Sequence, residues 1–249
     1  MKQILRCRNL VRIGEIDMGN DTMDLGQLAH FLGRDARELG KMASRGQLPG
    51  RKVGGEWRFA PAEIHHWLEV EIPGLSEQHL EAIDPTCPAA GLTPFLSTLL
   101  PLECIDLALP ARTRGSVLRS LVKLAEQSHQ PWDPAEILKA IEAREDAVST
   151  AQAGGFAVPH PRRRIPNTLG DSVIALARTP GGIPFGGPDR ALTDLYFLVC
   201  CNDDALHLRM LARLARVVRI PSFLDDLRAA ETPAAAWGLI DSAERGLSN

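Results

Sequence analysis

Three stretches of this chain carry side chains with chemistry to offer. The first runs from Arg144 to Arg164, REDAVSTAQAGGFAVPHPRRR. A neutral imidazole such as His160 can attack an electrophile near pH 7, where a hydroxyl needs a strong base. Around it, Gly154 and Gly155 let backbone N–H groups approach an anion, Thr150 offers a hydroxyl, and Arg144 offers a fork of N–H donors suited to phosphate. An Arg at that place also suits the C-terminal end of a helix dipole. The second stretch, HLRMLARLARVVR, begins at His207. The third is basic: Arg37, Lys41 and Arg45 recur every four residues, and Arg51, Lys52 and Arg58 surround a Gly54-Gly55 pair. Two other chemistries lack their patterns. His160, His207 and Cys200-Cys201 have no ligand spacing of a known metal site, so no metal and no cofactor is expected. No GxSxG elbow is present for a serine hydrolase.

The elements that must position these residues are legible in part. Leu25, Leu28, Ala29 and Leu32 fall at helical spacing and Gly33 stops that helix; Asp35 caps a second, running to about Ser44. The Gly pair between Lys52-Val53 and Trp57-Arg58-Phe59 is a hairpin signature, and Pro61 opens a third helix. Residues 72–91, with Pro73, Pro85 and Pro88 and weak periodicity, read as a linker in which Leu80, Ala82 and Ile83 suit a short helix. Beyond it come amphipathic helices from about Arg114 to His129 and Pro134 to Arg144. Strand-like runs follow at Phe156–Val158, Ser172–Ala177 and Leu192–Cys201, then helices from about Ala205 to Arg219 and Pro233 to Arg245. The Leu192–Cys201 run is nearly all apolar and suits a strand buried on both faces, so the second domain reads as α/β. The first 20 residues support one short element at most.

Composition bounds the rest. A chain of 249 residues is long enough for two ordinary domains, and 45% hydrophobic with 24% charged residues excludes a chain disordered throughout. A net charge of −3 confines any nucleic-acid surface to a local patch, and 5% aromatic residues leave few rings for stacking single-stranded bases. Five cysteines without CxxC spacing read as reduced thiols. No secretory apolar core and no membrane-length apolar run occurs, so a cytoplasmic protein without membrane insertion is expected.

Two resemblances sharpen this. Met23–Leu68, LGQLAHFLGRDARELGKMASRGQLPGRKVGGEWRFAPAEIHHWL in its main part, resembles the winged helix-turn-helix domain of excisionase and MerR-type proteins. That implies a domain over 20–71 in which Arg37, Lys41, Arg45, Arg51, Lys52 and Arg58 meet double-stranded DNA, or else a module that docks on a regulated protein. Residues 92–245 resemble the enzyme IIA domain of the fructose/mannitol and nitrogen-regulatory branch of the bacterial phosphotransferase system. The resemblance rests on the Arg-Glu pair, Ser-Thr, the Gly-rich turn, Ala-Val-Pro-His and the later His-Leu helix, in that order. It implies a mixed sheet flanked by helices, His160 as the phosphorylated residue, and His207 and Arg144 as its companions. The donor implied is a phosphohistidine carrier protein. The expected function is therefore a regulatory phosphocarrier coupled to DNA or a partner. The alternatives are a transcriptional regulator whose IIA-like domain acts as a non-catalytic sensor, and a donor to a separate sugar-transporter IIB unit.

Overall fold

The computed structural model describes residues 22–84 and 95–247. The first twenty-one residues and the 85–91 part of the stretch read as a linker lie outside the described residues.

Helix α1 (Leu25–Leu32) starts from a capping box in which the Asp24 carboxylate accepts from Gln27 N and the Gln27 side chain accepts from Asp24 N. It ends at Gly33, and α2 (Ala36–Ser44) starts from Asp35, whose carboxylate accepts from Arg37 N and Glu38 N. Strands β1 (Arg51–Val53) and β2 (Glu56–Arg58) form an antiparallel hairpin. Its turn needs positive φ at both central residues, and Gly54 and Gly55 supply 62° and 88°. Helix α3 (Pro61–Glu71) follows, with Pro at its first turn. Leu28, Leu39, Leu48, Phe59 and Ile64 form the core beneath these elements. The sequence pattern of helix, turn, helix, hairpin, helix is the pattern found.

After a 3-10 turn (Ile72–Gly74), α4 (Glu77–Ile83) is capped by Ser76. Residues 72–84 therefore do not hang free between domains. Leu80 and Ile83 are buried in a core cluster shared with the second domain.

That domain holds α5 (Leu96–Leu99), β3 (Ile105–Asp106), α6 (Arg114–Ala125), α7 (Pro134–Ala147), β4 (Ala151–Gln152), β5 (Phe156–Ala157), β6 (Val173–Pro184), β7 (Leu192–Cys200), α8 (Asp204–Val217), α9 (Phe223–Ala229) and α10 (Pro233–Leu247). The sheet order is β3-β6-β7-β5-β4, with β3 and β5 parallel to their inner neighbours and the β6–β7 and β4–β5 pairs antiparallel. Alternation assigns the faces. Val173, Ala175 and Ala177 of β6, with Tyr196 and Leu198 of β7, meet α6 and α7. Ile174, Leu176, Leu195 and Phe197 meet α8 and α10. The apolar β7 run is thus a strand buried on both faces, as its composition predicts. Strand β6 runs further than the sequence indicates, through Arg178 to Pro184, with a register shift between Arg178 and Ile183. Among the described residues Cys104, Cys200 and Cys201 are free thiols, and no helix is long and apolar enough to cross a membrane.

Helix α8 and the residues just after it carry cations that reach the elements N-terminal to the second domain. Arg213 is buried and grips Asp84 bidentately, Nε to Oδ2 and Nη2 to Oδ1, each at 2.7 Å. Arg216 pairs with Glu77, and Arg219 donates to the Leu75 and Pro73 carbonyls at 2.8 Å each. Burying Leu80 and Ile83 adds roughly 3–6 kcal/mol before ordering costs, since each such side chain contributes about 1.5–3 kcal/mol. The N-terminal domain is consequently docked on α8 by apolar burial and by oriented charge pairs together.

Candidate functional site

The docked surface covers a histidine pair. His160 follows β5, where Val199 N donates to Pro159 O at 3.0 Å and ties the segment to β7. It is 3% exposed, and its Nδ1 lies 2.7 Å from Val158 O. A carbonyl only accepts, so Nδ1 carries the proton and the Nε2 lone pair is left to act. His207 sits in the first turn of α8, whose N-cap Asp203 accepts from Leu206 N at 2.7 Å. The two imidazole centroids are 5.0 Å apart.

Opposite them stands Glu69 of α3, a residue the sequence reading did not single out. It is 7% exposed, and its carboxylate reaches 3.5 Å from His207 Nε2 and 3.9 Å from His160 Nε2. Both contacts are longer than a good N–H···O bond, and neither imidazole Nε2 has a hydrogen-bond partner. Burial works against the Glu69 charge, and the His160 and His207 imidazoles lower the carboxyl's pKa only in the forms that present N–H or positive charge to it. Burial likewise pushes His160 below the ordinary histidine value, against the pull of Glu69, so its neutral form is favoured. The signal for Glu69 was present but weak: His65 and Glu69 of α3 and Ile72 just beyond its end fall at i, i+4, i+7, and the charged member is buried where the second domain's histidines face it.

Next to the histidines lies a cavity of about 300 Å³ bordered by Glu69, Arg144, Thr150, His160, Leu214 and Arg219. Arg144, near the end of α7, donates through Nη1 to Val148 O at 2.6 Å and is 5% exposed, its Nε buried without a partner. Thr150 faces the same cavity, but its hydroxyl donates to Glu145, which also accepts from Thr150 N at 3.0 Å. Gly154 and Gly155 form the β4–β5 turn at φ 91° and 77° and do not border the cavity. A Cβ on Gly155 would stand 2.9 Å from Arg228 Nη2 and 3.2 Å from Leu192 O, so this turn excludes a side chain for reasons of packing alone. The structure thus brings together His160, His207, Arg144 and Thr150, and places the two glycines apart from them.

In the N-terminal domain, Arg37, Lys41, Arg45, Arg51 and Lys52 are exposed. Arg58 is half-buried and pairs with Glu56 at 2.9 Å, and Lys52 lies over the Trp57 ring at 5.4 Å. The acidic neighbours in α2 are engaged locally, Asp35 as a cap and Glu38 with Arg34.

A mixed five-stranded sheet covered by helices on both faces, with a strand-end histidine beside one at a helix head, places residues 95–247 among enzyme IIA-type α/β domains. The chain belongs to the EIIA 2 family of the phosphoenolpyruvate-dependent sugar phosphotransferase system, whose family model matches residues 98–243. A helix-turn-helix domain model matches residues 22–69. Over 141 residues the chain is 28% identical to a PTS system fructose-specific EIIA component of Haloferax volcanii, covering 55% of this chain and 88% of that protein. It is 25% identical over 139 residues to a nitrogen regulatory protein of Pseudomonas aeruginosa, with the same coverage. The fold is shared with the nitrogen regulatory protein IIA-Ntr of Neisseria meningitidis (TM-score 0.53, 23% identity, 58% of this chain and 98% of that one). It is also shared with the IIA mannitol domain of Escherichia coli solved with phosphorylated IIB mannitol (TM-score 0.51, 18% identity, 58% and 99%).

Proposed function

We propose that this chain is a regulatory phosphocarrier in which His160 accepts a phosphoryl group from a phosphohistidine carrier protein, and in which the helix-turn-helix domain reports that state. The observation that carries this reading is the orientation of His160: its Nδ1 is committed to the Val158 carbonyl, so Nε2 is the nucleophile, and it points at His207 and Glu69 beside the cavity that Arg144 borders. The Nε2 lone pair forms the new N–P bond. The donor imidazole keeps the electrons of the broken N–P bond and takes a proton from water, while the His160 ring retains its Nδ1 proton. Arg144, and His207 by donation, would stabilise the transferring oxygens without a metal.

Docking and phosphorylation then compete. A phosphoryl group on Nε2 brings about 1.5 to 2 negative charges against an ionised Glu69. Two unit charges about 4 Å apart repel by roughly 4 kcal/mol at an effective dielectric of 20. That is comparable to the apolar contribution of α4 docking, so phosphorylation favours release of the N-terminal domain. Labelling tests the reading: the purified chain with phosphoenolpyruvate, enzyme I and the phosphocarrier protein should take up one acid-labile phosphate, mapped to His160 by mass spectrometry. No label, or label elsewhere, overturns it.

The N-terminal domain is read as the output, with Arg37, Lys41 and Arg45 on the exposed face of α2 contacting duplex phosphates. The joint Arg37→Ala and Lys41→Ala variant should weaken duplex binding uniformly across sequences and flatten the slope of log affinity against log salt by about 2. Unchanged binding in a salt titration would favour docking on a protein instead.

A further inference from the structure

We propose that Glu69, His160 and His207 form a binding site for a zinc-class divalent cation, and that this cation clamps the helix-turn-helix domain onto the IIA domain.

Each of the three side chains offers one ligand atom, and those atoms all lie within 4.8 Å of one another. Spacing along the chain hid this set. Two histidines 47 residues apart make no motif, and the third donor comes from another domain 91 residues before His160. The sequence-based expectation of no metal therefore considered an incomplete donor set.

The case rests on electron bookkeeping. His160 spends its only proton on the Val158 carbonyl, so its Nε2 presents a lone pair. That lone pair faces a carboxylate oxygen at 3.9 Å in a site from which both residues are almost wholly shielded from water. Glu69 Oε2 already lies 3.4 Å from His66 Nδ1, and a proton on His66 or His207 leaves the His160 lone pair without a partner. Buried lone pairs in that condition are costly. A cation among the three ligand atoms satisfies them all at once.

The geometry and the chemistry agree on the class of cation. Zinc takes imidazole nitrogen at about 2.0–2.1 Å and carboxylate oxygen at about 2.0–2.2 Å, which puts tetrahedral ligand atoms about 3.4 Å apart. Here Glu69 Oε1 stands 3.5 Å from His207 Nε2 and Oε2 stands 3.9 Å from His160 Nε2, and the three ligand atoms lie within 4.8 Å of one another, so a bound cation would draw the side chains together by up to about 1.4 Å. The His160 Nδ1–H bond to a carbonyl is the support that orients a metal-bound imidazole. Two nitrogens and one carboxylate suit zinc and its neighbours, whereas magnesium and calcium require oxygen ligands. Glu69 and His160 also border the cavity beside Arg144 and Thr150, which has room for water.

The clamp follows from where the ligands sit: one belongs to α3 of the first domain and two to the second. A cation there also occupies the His160 lone pair, so it opposes any electrophile at that atom. The site stands on geometry alone and holds whether or not His160 takes a phosphoryl group.

The test uses the full chain stripped with a chelator and titrated calorimetrically with zinc chloride. The expected result is one equivalent bound per chain, with affinity lowered at least tenfold in His160→Ala, His207→Ala and the near-isosteric Glu69→Gln, and unaltered in Cys201→Ser. Zinc should also slow hydrogen exchange in residues 61–71 of the wild type but not of Glu69→Gln, a readout that folding defects cannot imitate. Absence of stoichiometric binding overturns the proposal, and so does undiminished binding in Glu69→Gln. Failure of the phosphoryl-labelling experiment, by contrast, leaves the cation site standing and removes only the phosphocarrier reading.

Discussion

Glu69→Ala is expected to raise the rate of His160 phosphorylation at limiting donor by at least tenfold, measured in chelator-containing buffer. In the docked state His160 is 3% exposed and Glu69 stands over its Nε2, so a donor protein can react only with the fraction of chains that have opened. The apparent rate scales with that fraction. Loss of about 1.4 kcal/mol of docking free energy multiplies the open fraction tenfold, and Glu69 contributes to the docked state through its burial and its closeness to both imidazoles. The like-charge penalty on the phosphorylated product disappears as well. Glu69→Gln separates the two effects, since it removes the charge while keeping most of the bulk: its final extent of phosphorylation should rise more than its initial rate. The Glu69→Ala, His160→Ala double variant should take up no label, which assigns the gain to His160. A rate within twofold of wild type would mean that Glu69 does not occlude the site.

Asp84→Asn should act through the other end of the interface. Arg213 is 2% exposed and is held by both oxygens of Asp84, with Glu244 at 3.7 Å from a third nitrogen. Removing one partner of a buried pair costs about 3–5 kcal/mol, because the remaining charge is left in a dry site. Glu244 shares the load, so the lower end is expected. The chain can also escape part of the cost by undocking α4 and hydrating Arg213. The variant should therefore lose about 3 kcal/mol, or about 6–12 °C in midpoint if domain 2 unfolds as a unit. It should also exchange amide hydrogens faster over residues 61–84 and phosphorylate faster on His160. Glu69→Ala shares the last effect without the large loss of stability. Equal stability of Asp84→Asn and wild type would show that the Arg213 pair does not hold the domains together.

Where local rules are strong, the chain announces its own structure. The Asp35 cap, the Gly54-Gly55 turn, Pro61 at a helix start and the unbroken apolar run of β7 each follow from interactions within a few residues, and all are found. The two-residue strands β3 and β4 carry too few side chains to show a period, so only pairing with the longer strands reveals them. Residues 72–84 read as a linker because their apolar groups, Ile72, Leu80 and Ile83, are too few to bury one another; α8 of the second domain buries them.

The histidines of the site were legible as residue types in a recognisable order. Their surroundings were not. Thr150 is drawn to Glu145 by a bond five residues long, and Gly154 and Gly155 answer to a tight turn against Arg228 and Leu192.

By itself the sequence determined a helix-turn-helix domain and an enzyme IIA-type domain and singled out the two histidines of the candidate site, because composition, periodicity and motif order act locally. Only the tertiary structure decided that the first domain closes over the second. Glu69 reaches His160 and His207 through the docking of α3 against α8, and nothing in the local preferences of a Glu in a helix specifies what lies across that interface.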